Sequence, residues 1–146
     1  MANVIYRGPI KDQTETVNKP IVGTPLPGIM VVEAAATLTT AVAADMEKDL
    51  LVLSNAEFAG QDVATAYVAG NTAVAYRPRP GEIYQVRLAG ATYAYNAPLT
   101  VGASGYLEAT STAEKVVAYF QGTAGAISAG VLTDVRIANS FLTAAA

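Results

Sequence analysis

The sequence predicts a mainly β protein, a small antiparallel β-barrel or β-sandwich domain preceded by an extended N-terminal arm. Apolar and polar residues alternate over residues 82–88 and 131–137, as in half-buried strands. Gly, Pro, Asn and Ser separate such segments at intervals of about ten residues, a spacing typical of barrels and sandwiches. The first 27 residues contain four of the seven prolines and show no sustained period. A chain of 146 residues fits one domain.

Residues 1–27 are predicted to be the arm, and residues 28–146 the β-rich domain. Proline fixes φ and removes a backbone donor, so this segment favours extended geometry over a packed helix. Two short apolar pieces of the arm are candidates for strand addition to a neighbouring subunit, although a frayed terminus would explain the same composition. They are Val4, Ile5 and Tyr6, followed by Arg7, and Ile21 with Val22.

The turn at Pro27 and Gly28 marks the predicted start of the domain. Residues 29–32 form an apolar run of the length expected for a buried strand. Residues 34–53 are ambiguous, because their apolar positions fit a helical period while residues 50–53 also read as a strand. Strand is the preferred interpretation.

The second half of the chain gives clearer strand signals. Residues 82–88 and 131–137 alternate, with Tyr84, Val86 and Leu88 predicted on one face of the first of them. Residues 99–109 read as a hairpin with a glycine-supported turn, and residues 116–120 as a further strand.

Composition excludes most catalytic chemistry. The chain has no His and no Cys, so a Ser-His-Asp triad, a thiol nucleophile and a His- or Cys-ligated zinc site are impossible. The net charge is −3 and only 14% of residues are charged, which gives no footprint for nucleic acid. No apolar run is long enough to span a membrane. Phosphate-binding glycine motifs are absent. We therefore expect no enzymatic activity, cofactor, nucleic-acid partner or membrane insertion.

Asp45, Glu47 and Asp49 occupy alternate positions, as oxygen ligands do at the start of an EF-hand loop. The match ends at Leu50 and Ala56, where the loop requires Gly and Glu. A solvated acidic turn is the interpretation, and no metal site is predicted.

A carboxylate pair could serve glycoside hydrolysis. The candidates are Glu33, Glu57, Asp62 and Glu82. The sequence brings no two of them together, and Trp, which usually lines sugar clefts, is absent.

Arg77, Pro78, Arg79 and Pro80 form the most concentrated basic feature. The alternating prolines hold the chain extended before the strand at residue 82. Arg77 and Arg79 either clamp acidic groups of a neighbouring subunit or belong to a stiff loop that positions this strand, and the sequence leaves both open.

Residues 84–93 (YQVRLAGATY) and 98–107 (PLTVGASGYL) resemble the head decoration, or capsid cement, proteins of tailed bacteriophages. Residues 131–138 (VLTDVRIA) are similar too, and the turn at Pro27 and Gly28 resembles the junction of arm and body. The resemblance covers about 60 residues and consists of strand and turn patterns with no chemical signature.

The resemblance implies a structural virion protein, made in the host cytoplasm, that binds the outer surface of a phage head and bridges neighbouring major capsid subunits. A homo-oligomer is implied, with a trimer favoured over a dimer. Two alternatives stay open: a virion module that binds host glycans or surfaces, and a tail or baseplate component.

Overall fold

The computed structural model describes residues 14–143, and this part of the chain is built almost entirely of short strands joined by turns. The first half contains β1 (Glu15–Pro20), β2 (Met30–Glu33), β3 (Leu38–Thr40), β4 (Leu50–Leu53) and β5 (Thr72–Arg77). The second half contains β6 (Ile83–Arg87), β7 (Ala91–Tyr93), β8 (Pro98–Val101), β9 (Leu107–Ala109), β10 (Ala118–Phe120), β11 (Gly125–Ile127) and β12 (Leu132–Ile137). Three short 3-10 helices span Ala43–Glu47, Glu57–Ala59 and Ala103–Gly105.

The strands form two five-stranded sheets and a two-stranded ribbon. The first sheet has the order β1-β5-β4-β2-β3, the second has the order β6-β12-β10-β8-β9, and β7 pairs with β11. Every pairing between these strands is antiparallel. The predicted mainly β, antiparallel fold class is therefore confirmed, as a sandwich-like pair of sheets without a closed barrel.

Each sheet curls until its two edges meet at one point. In the first sheet, Ile21 just after β1 forms a parallel bridge with Leu38 of β3, and the Val22 amide donates to the Leu38 carbonyl at 3.0 Å. In the second sheet, Leu88 bridges Leu107 in the same way. The curling gives each sheet a concave face that apolar side chains can fill.

Strand β4 explains why residues 50–53 are apolar without interruption. A strand that is covered on one face alternates apolar and polar residues, whereas one covered on both faces is apolar throughout. All four residues of β4 are buried. Leu51 and Leu53 point into the concave face of the first sheet, and Leu50 and Val52 point toward the second sheet.

Two apolar clusters result. The inner cluster fills the concave face of the first sheet and comprises Val17, Ile21, Ile29, Val31, Leu38, Leu51, Leu53, Ala56, Tyr67, Ala73 and Ala75. The central cluster joins the sheets and comprises Met30, Ala41, Leu50, Val52, Val86, Leu88, Tyr93, Leu99, Val101, Leu107, Val117, Ala118, Phe120, Val135 and Ile137. Because both clusters share β2 and β4, the two sheets form one packed unit.

Gly105 lies in the turn between β8 and β9 and allows this hairpin to approach the first sheet. Its φ is +73°, a conformation that side chains rarely adopt. A Cβ at this position would lie 2.6 Å from the Met30 carbonyl oxygen of β2. The predicted hairpin of residues 99–109 is confirmed, and its glycine turn also serves the contact between sheets.

The predicted boundary between arm and domain is revised by the structure. Residues 15–20 form β1, which pairs along its whole length with β5 of the same chain. Pro20 is tolerated because β1 is an edge strand: the next amide, that of Ile21, donates toward β5 at Asn71, so the nitrogen of Pro20 faces away from the ladder. The described part of the predicted arm thus belongs to the domain.

Other differences concern the predicted elements themselves. In the ambiguous stretch of residues 34–53, the strand predicted at 50–53 is confirmed as β4, and the preceding residues hold β3 and a 3-10 helix. Prediction missed β5, whose Ala73 and Ala75 lack the bulk of typical strand residues. The strand predicted at residues 116–120 is shorter, and Val131 precedes β12 and is half exposed. In the residues described, no helix is long and apolar enough to cross a membrane.

Replacing Leu51 by Ala tests the double-sided burial of β4. Leu51 has no exposed surface, so Leu51→Ala should lower the free energy of unfolding by about 2–5 kcal/mol through lost burial and a residual cavity. The matched control is Val42→Ala, at a largely exposed position, where a change of about 0.5 kcal/mol or less is expected. Urea denaturation followed by circular dichroism measures both, and equal effects would contradict this packing.

Candidate interaction surface

Arg77 lies at the end of β5 and binds carboxylates of its own chain. Its Nη2 lies 2.8 Å from Glu33 Oε2, its Nε lies 3.3 Å from Glu15 Oε1, and its Nη1 contacts Asp49. These carboxylates come from β1, from the end of β2 and from the residue before β4. Arg77 thus ties strands of the first sheet together through its ion pairs.

Glu33 accepts hydrogen bonds from two cations and is the most strongly paired carboxylate of this network. Lys19 Nζ lies 2.6 Å from Glu33 Oε1, and it also donates to the carbonyls of Ala34 and Ala35 in the turn after β2. The hydrogen bonds from Lys19 and Arg77 hold the pKa of Glu33 below its usual value. Ionised Glu33 therefore helps to hold the edge strand β1 to the turn after β2.

Arg79 belongs to a second polar group, centred on Glu82. The Arg79 amide donates to Glu82 Oε1 at 2.8 Å, and its guanidinium reaches Oε2 at 3.5 Å. The hydroxyls of Tyr84 and Thr14 also donate to this carboxylate, at 2.9 Å and 2.7 Å. Burial and the neighbouring carboxylate raise the pKa of Tyr84 to about 12, so its hydroxyl remains a donor. Glu82 thus connects the loop before β6 to the start of β1.

The remaining predicted contact residues have different environments. Ile21 is buried in the inner cluster, so its side chain serves the chain's own core, whereas Val22 is half exposed. Val4, Ile5, Tyr6 and Arg7 lie outside the described residues. Of the residues proposed for partner contact, Val22 and Arg79 are the described ones with the most accessible side chains.

Asp45 and Asp49, two of the acidic residues in the partial EF-hand pattern, have separate partners. Asp45 accepts the Val42 amide at 3.0 Å and pairs with Lys48 at 2.8 Å, while Asp49 contacts Arg77. Between residues 14 and 143 no three acidic side chains converge on a point that could hold a metal ion.

Most tyrosines pack within the domain. Tyr93 stacks on Phe120 with ring centroids 5.4 Å apart, Tyr67 is buried, and the rings of Tyr76 and Tyr84 lie 5.8 Å apart. Among the described tyrosines, Tyr95 is the only one that is largely exposed, at 64%. The described residues therefore present no multi-tyrosine platform for a sugar.

The segment between β4 and β5, residues 54–71, contains no strand, yet it is held by an internal network of hydrogen bonds. Gln61 Oε1 accepts the Ala56 amide at 2.8 Å and Gln61 Nε2 donates to the Thr65 carbonyl at 2.8 Å. Asn55 Nδ2 donates to the Gln61 carbonyl at 2.7 Å. The buried Tyr67 donates its hydroxyl to the Ser54 carbonyl and anchors the segment to the inner cluster. We call residues 54–71 the capping loop.

The capping loop exposes large apolar side chains. Phe58 is 76% exposed and Val68 is 63% exposed. Both line a groove of 430 Å³ beside the buried Tyr67. A hydrogen-bonded loop that exposes large apolar side chains to solvent is typical of a binding surface. This groove is the candidate interaction surface.

Sequence reasoning missed the capping loop. Its apolar residues follow no period of two or 3.6, so the pattern predicts no strand, helix or apolar surface over residues 54–71. The available signal was the occurrence of Phe58 and Val68 in a stretch otherwise rich in small and polar residues.

Comparison with known proteins identifies the fold. The chain is similar to the crystal structure of the N base of the head fiber protein gp8.5 of bacteriophage phi29, with a TM-score of 0.62 and 13% sequence identity. The match covers 89% of this chain and 98% of that chain. No protein-family model and no curated protein matches the sequence. The two chains share an architecture over nearly their whole described length.

The acid dependence of stability tests the Glu33 network. Because the folded pKa of Glu33 is lowered, its stabilisation is complete at neutral pH and is lost as the pH falls below about 4.5. Glu33→Gln should lower the free energy of unfolding at pH 7 by on the order of 1 kcal/mol, and the difference from the parent should shrink toward pH 3.

Urea midpoints measured from pH 7 to pH 3 make this comparison. Glu47→Gln is the control, since Glu47 is exposed and forms no ion pair with any described residue. A difference between parent and Glu33→Gln that is independent of pH would show that Glu33 does not act through its charge.

Proposed function

We propose that this protein is a structural component of a phage head that binds the outside of the capsid shell without catalysing a reaction. The observation that carries the proposal is the fold shared with the N base of a phage head fiber protein. The decoration-protein resemblance of residues 84–138 rests on sequence patterns and points independently to the same part of a virion. Composition fits this role, because a chain without His or Cys lacks the usual catalytic side chains.

Within that role, we propose that the protein acts as a decoration subunit that bridges neighbouring major capsid subunits. A protein that binds only the assembled shell stabilises it by mass action, and many copies act together. The trimer that the resemblance implies would suit positions where three capsid subunits meet.

The capping loop is the part of the described surface that best fits contact with the shell. Interfaces depend mostly on a few large side chains that become fully desolvated. Apart from Tyr95, Phe58 and Val68 are the most exposed large hydrophobic side chains of the described residues. The hydrogen bonds of Gln61 and Asn55 hold the loop in one conformation, which limits the entropy lost on binding.

Co-sedimentation with expanded heads that lack the protein tests this function. We expect saturable binding and a higher temperature of head disruption when the protein is present. Absence of binding to heads of the phage that encodes the chain would exclude the decoration role and direct attention to tails and surface glycans.

Replacement of Phe58 tests the docking surface in the same assay. Phe58→Ser should weaken binding to heads by at least about 10-fold, since a desolvated aromatic residue contributes more than 1 kcal/mol. It should leave the urea midpoint of the isolated protein nearly unchanged, because the side chain is already exposed.

Tyr95→Ser is the matched control, an exposed aromatic residue next to β8 of the second sheet. It should bind heads like the parent. Equal affinity for parent and Phe58→Ser would remove the capping loop from the interface, whereas loss of binding in both variants would show that the assay reports exposed aromatic residues in general.

A further inference from the structure

Strand β6 has an edge over Ile83–Gln85 that no described residue pairs with. The Glu82 carbonyl accepts the Ile137 amide at 2.9 Å, and the backbone of Leu88 bonds to Gly130 and Val131. Since backbone groups alternate along an antiparallel strand, even-numbered residues of β6 point toward β12 and odd-numbered residues point away from it. The Arg87 amide points away from β12 and donates to the Gly28 carbonyl at 2.7 Å. Ile83 and Gln85 have no such partner among the described residues.

The side chains along this edge do not protect it. Ile83 is 53% exposed and Gln85 is exposed, so neither a charge nor a proline blocks approach at these two positions. Proteins usually blunt an open edge with Lys, Pro or a covering segment. Ile83 and Gln85 lack a backbone partner among the described residues, whereas Arg87 has one. This part of the edge is therefore suited to receive a short strand.

A groove lies next to this edge, between the two sheets. It has a volume of 200 Å³ and is lined by Tyr76, Tyr84, Gln85 and Leu132 among others. A cavity of roughly 150 Å³ holds a benzene ring, so the groove accommodates one branched aliphatic side chain. A strand added to Ile83–Gln85 would direct every second side chain toward the groove.

The described chain begins at the same place. Thr14 donates its hydroxyl to Glu82, the residue before β6, and is the first residue described. The described chain therefore begins beside the open edge. Residues 1–13 contain one run of β-branched and aromatic residues, Val4, Ile5 and Tyr6.

We propose that Val4–Tyr6 of one copy adds as a strand to Ile83–Gln85 of a second copy, with one apolar side chain in the groove. Seven residues lie between Tyr6 and Thr14, so the eight Cα–Cα steps reach roughly 26 Å, which is sufficient to leave the parent domain. The residues that could pair directly within the same chain are 10–13 (IKDQ), which offer a single apolar side chain. Gly8 and Pro9 separate the two segments. The exchange does not depend on the proposed head-binding function.

Disulfide trapping tests the exchange, because the chain has no cysteine of its own. Single variants Val4→Cys, Ile5→Cys and Tyr6→Cys would each be mixed with Ile83→Cys or Gln85→Cys and oxidised at low concentration. Paired strands bring Cβ atoms to about 5 Å, within reach of a disulfide. Non-reducing electrophoresis separates the crosslinked products. Tags of different size on the two copies let the mass of each product show which chains are linked. Thr112→Cys, in an exposed turn between β9 and β10, replaces the acceptor in the control.

We expect a covalent heterodimer from at least one of these mixtures and none with Thr112→Cys. Loss of Val4–Tyr6 by triple substitution to Ser should convert the uncrosslinked protein to a smaller species in light scattering, with an unchanged urea midpoint. A double variant that carries both Ile5→Cys and Ile83→Cys would overturn the exchange if its disulfide formed only within one chain, and so would a lack of any disulfide with positions 83 and 85 in the mixtures.

Discussion

The burial of β2 and β4 on both faces is the constraint on which the rest of this structure depends. Leu51 and Val31 fill the concave face of the first sheet, while Met30 and Val52 contact the second sheet. A domain with so few bulky residues can build a firm core only if they lie close together, and sharing two strands between two clusters achieves this. The ion pairs of Arg77 and the turn at Gly105 then fix strands around this shared centre.

The sequence predicted the second half of the fold better than the first, for physical reasons. Strands β6 and β12 are covered on one face, and one-sided burial leaves an alternating pattern. In the first sheet, β4 is uniformly apolar, β5 relies on small alanines, and β1 contains Pro20 at an edge where it costs little. None of these three leaves an alternating pattern, so the arm boundary was placed too late.

The candidate surfaces were less predictable than the strands. Arg77 was recognised as important, but only the fold shows that three carboxylates of the same chain converge on it. The capping loop and the open edge of β6 both depend on which neighbours are present, and local pattern contains no such information. The architecture therefore combines a rigid core with two accessible regions, an apolar loop and a strand edge that no described residue pairs with.

Cryo-electron microscopy of the virion that carries this chain tests the proposed function most directly. The account predicts density for a two-sheet domain on the outside of the head, repeated with the symmetry of the shell. It also predicts that virions made without the protein lack this density. Finding the domain only in the tail, or finding it in no part of the virion, would contradict a role on the head.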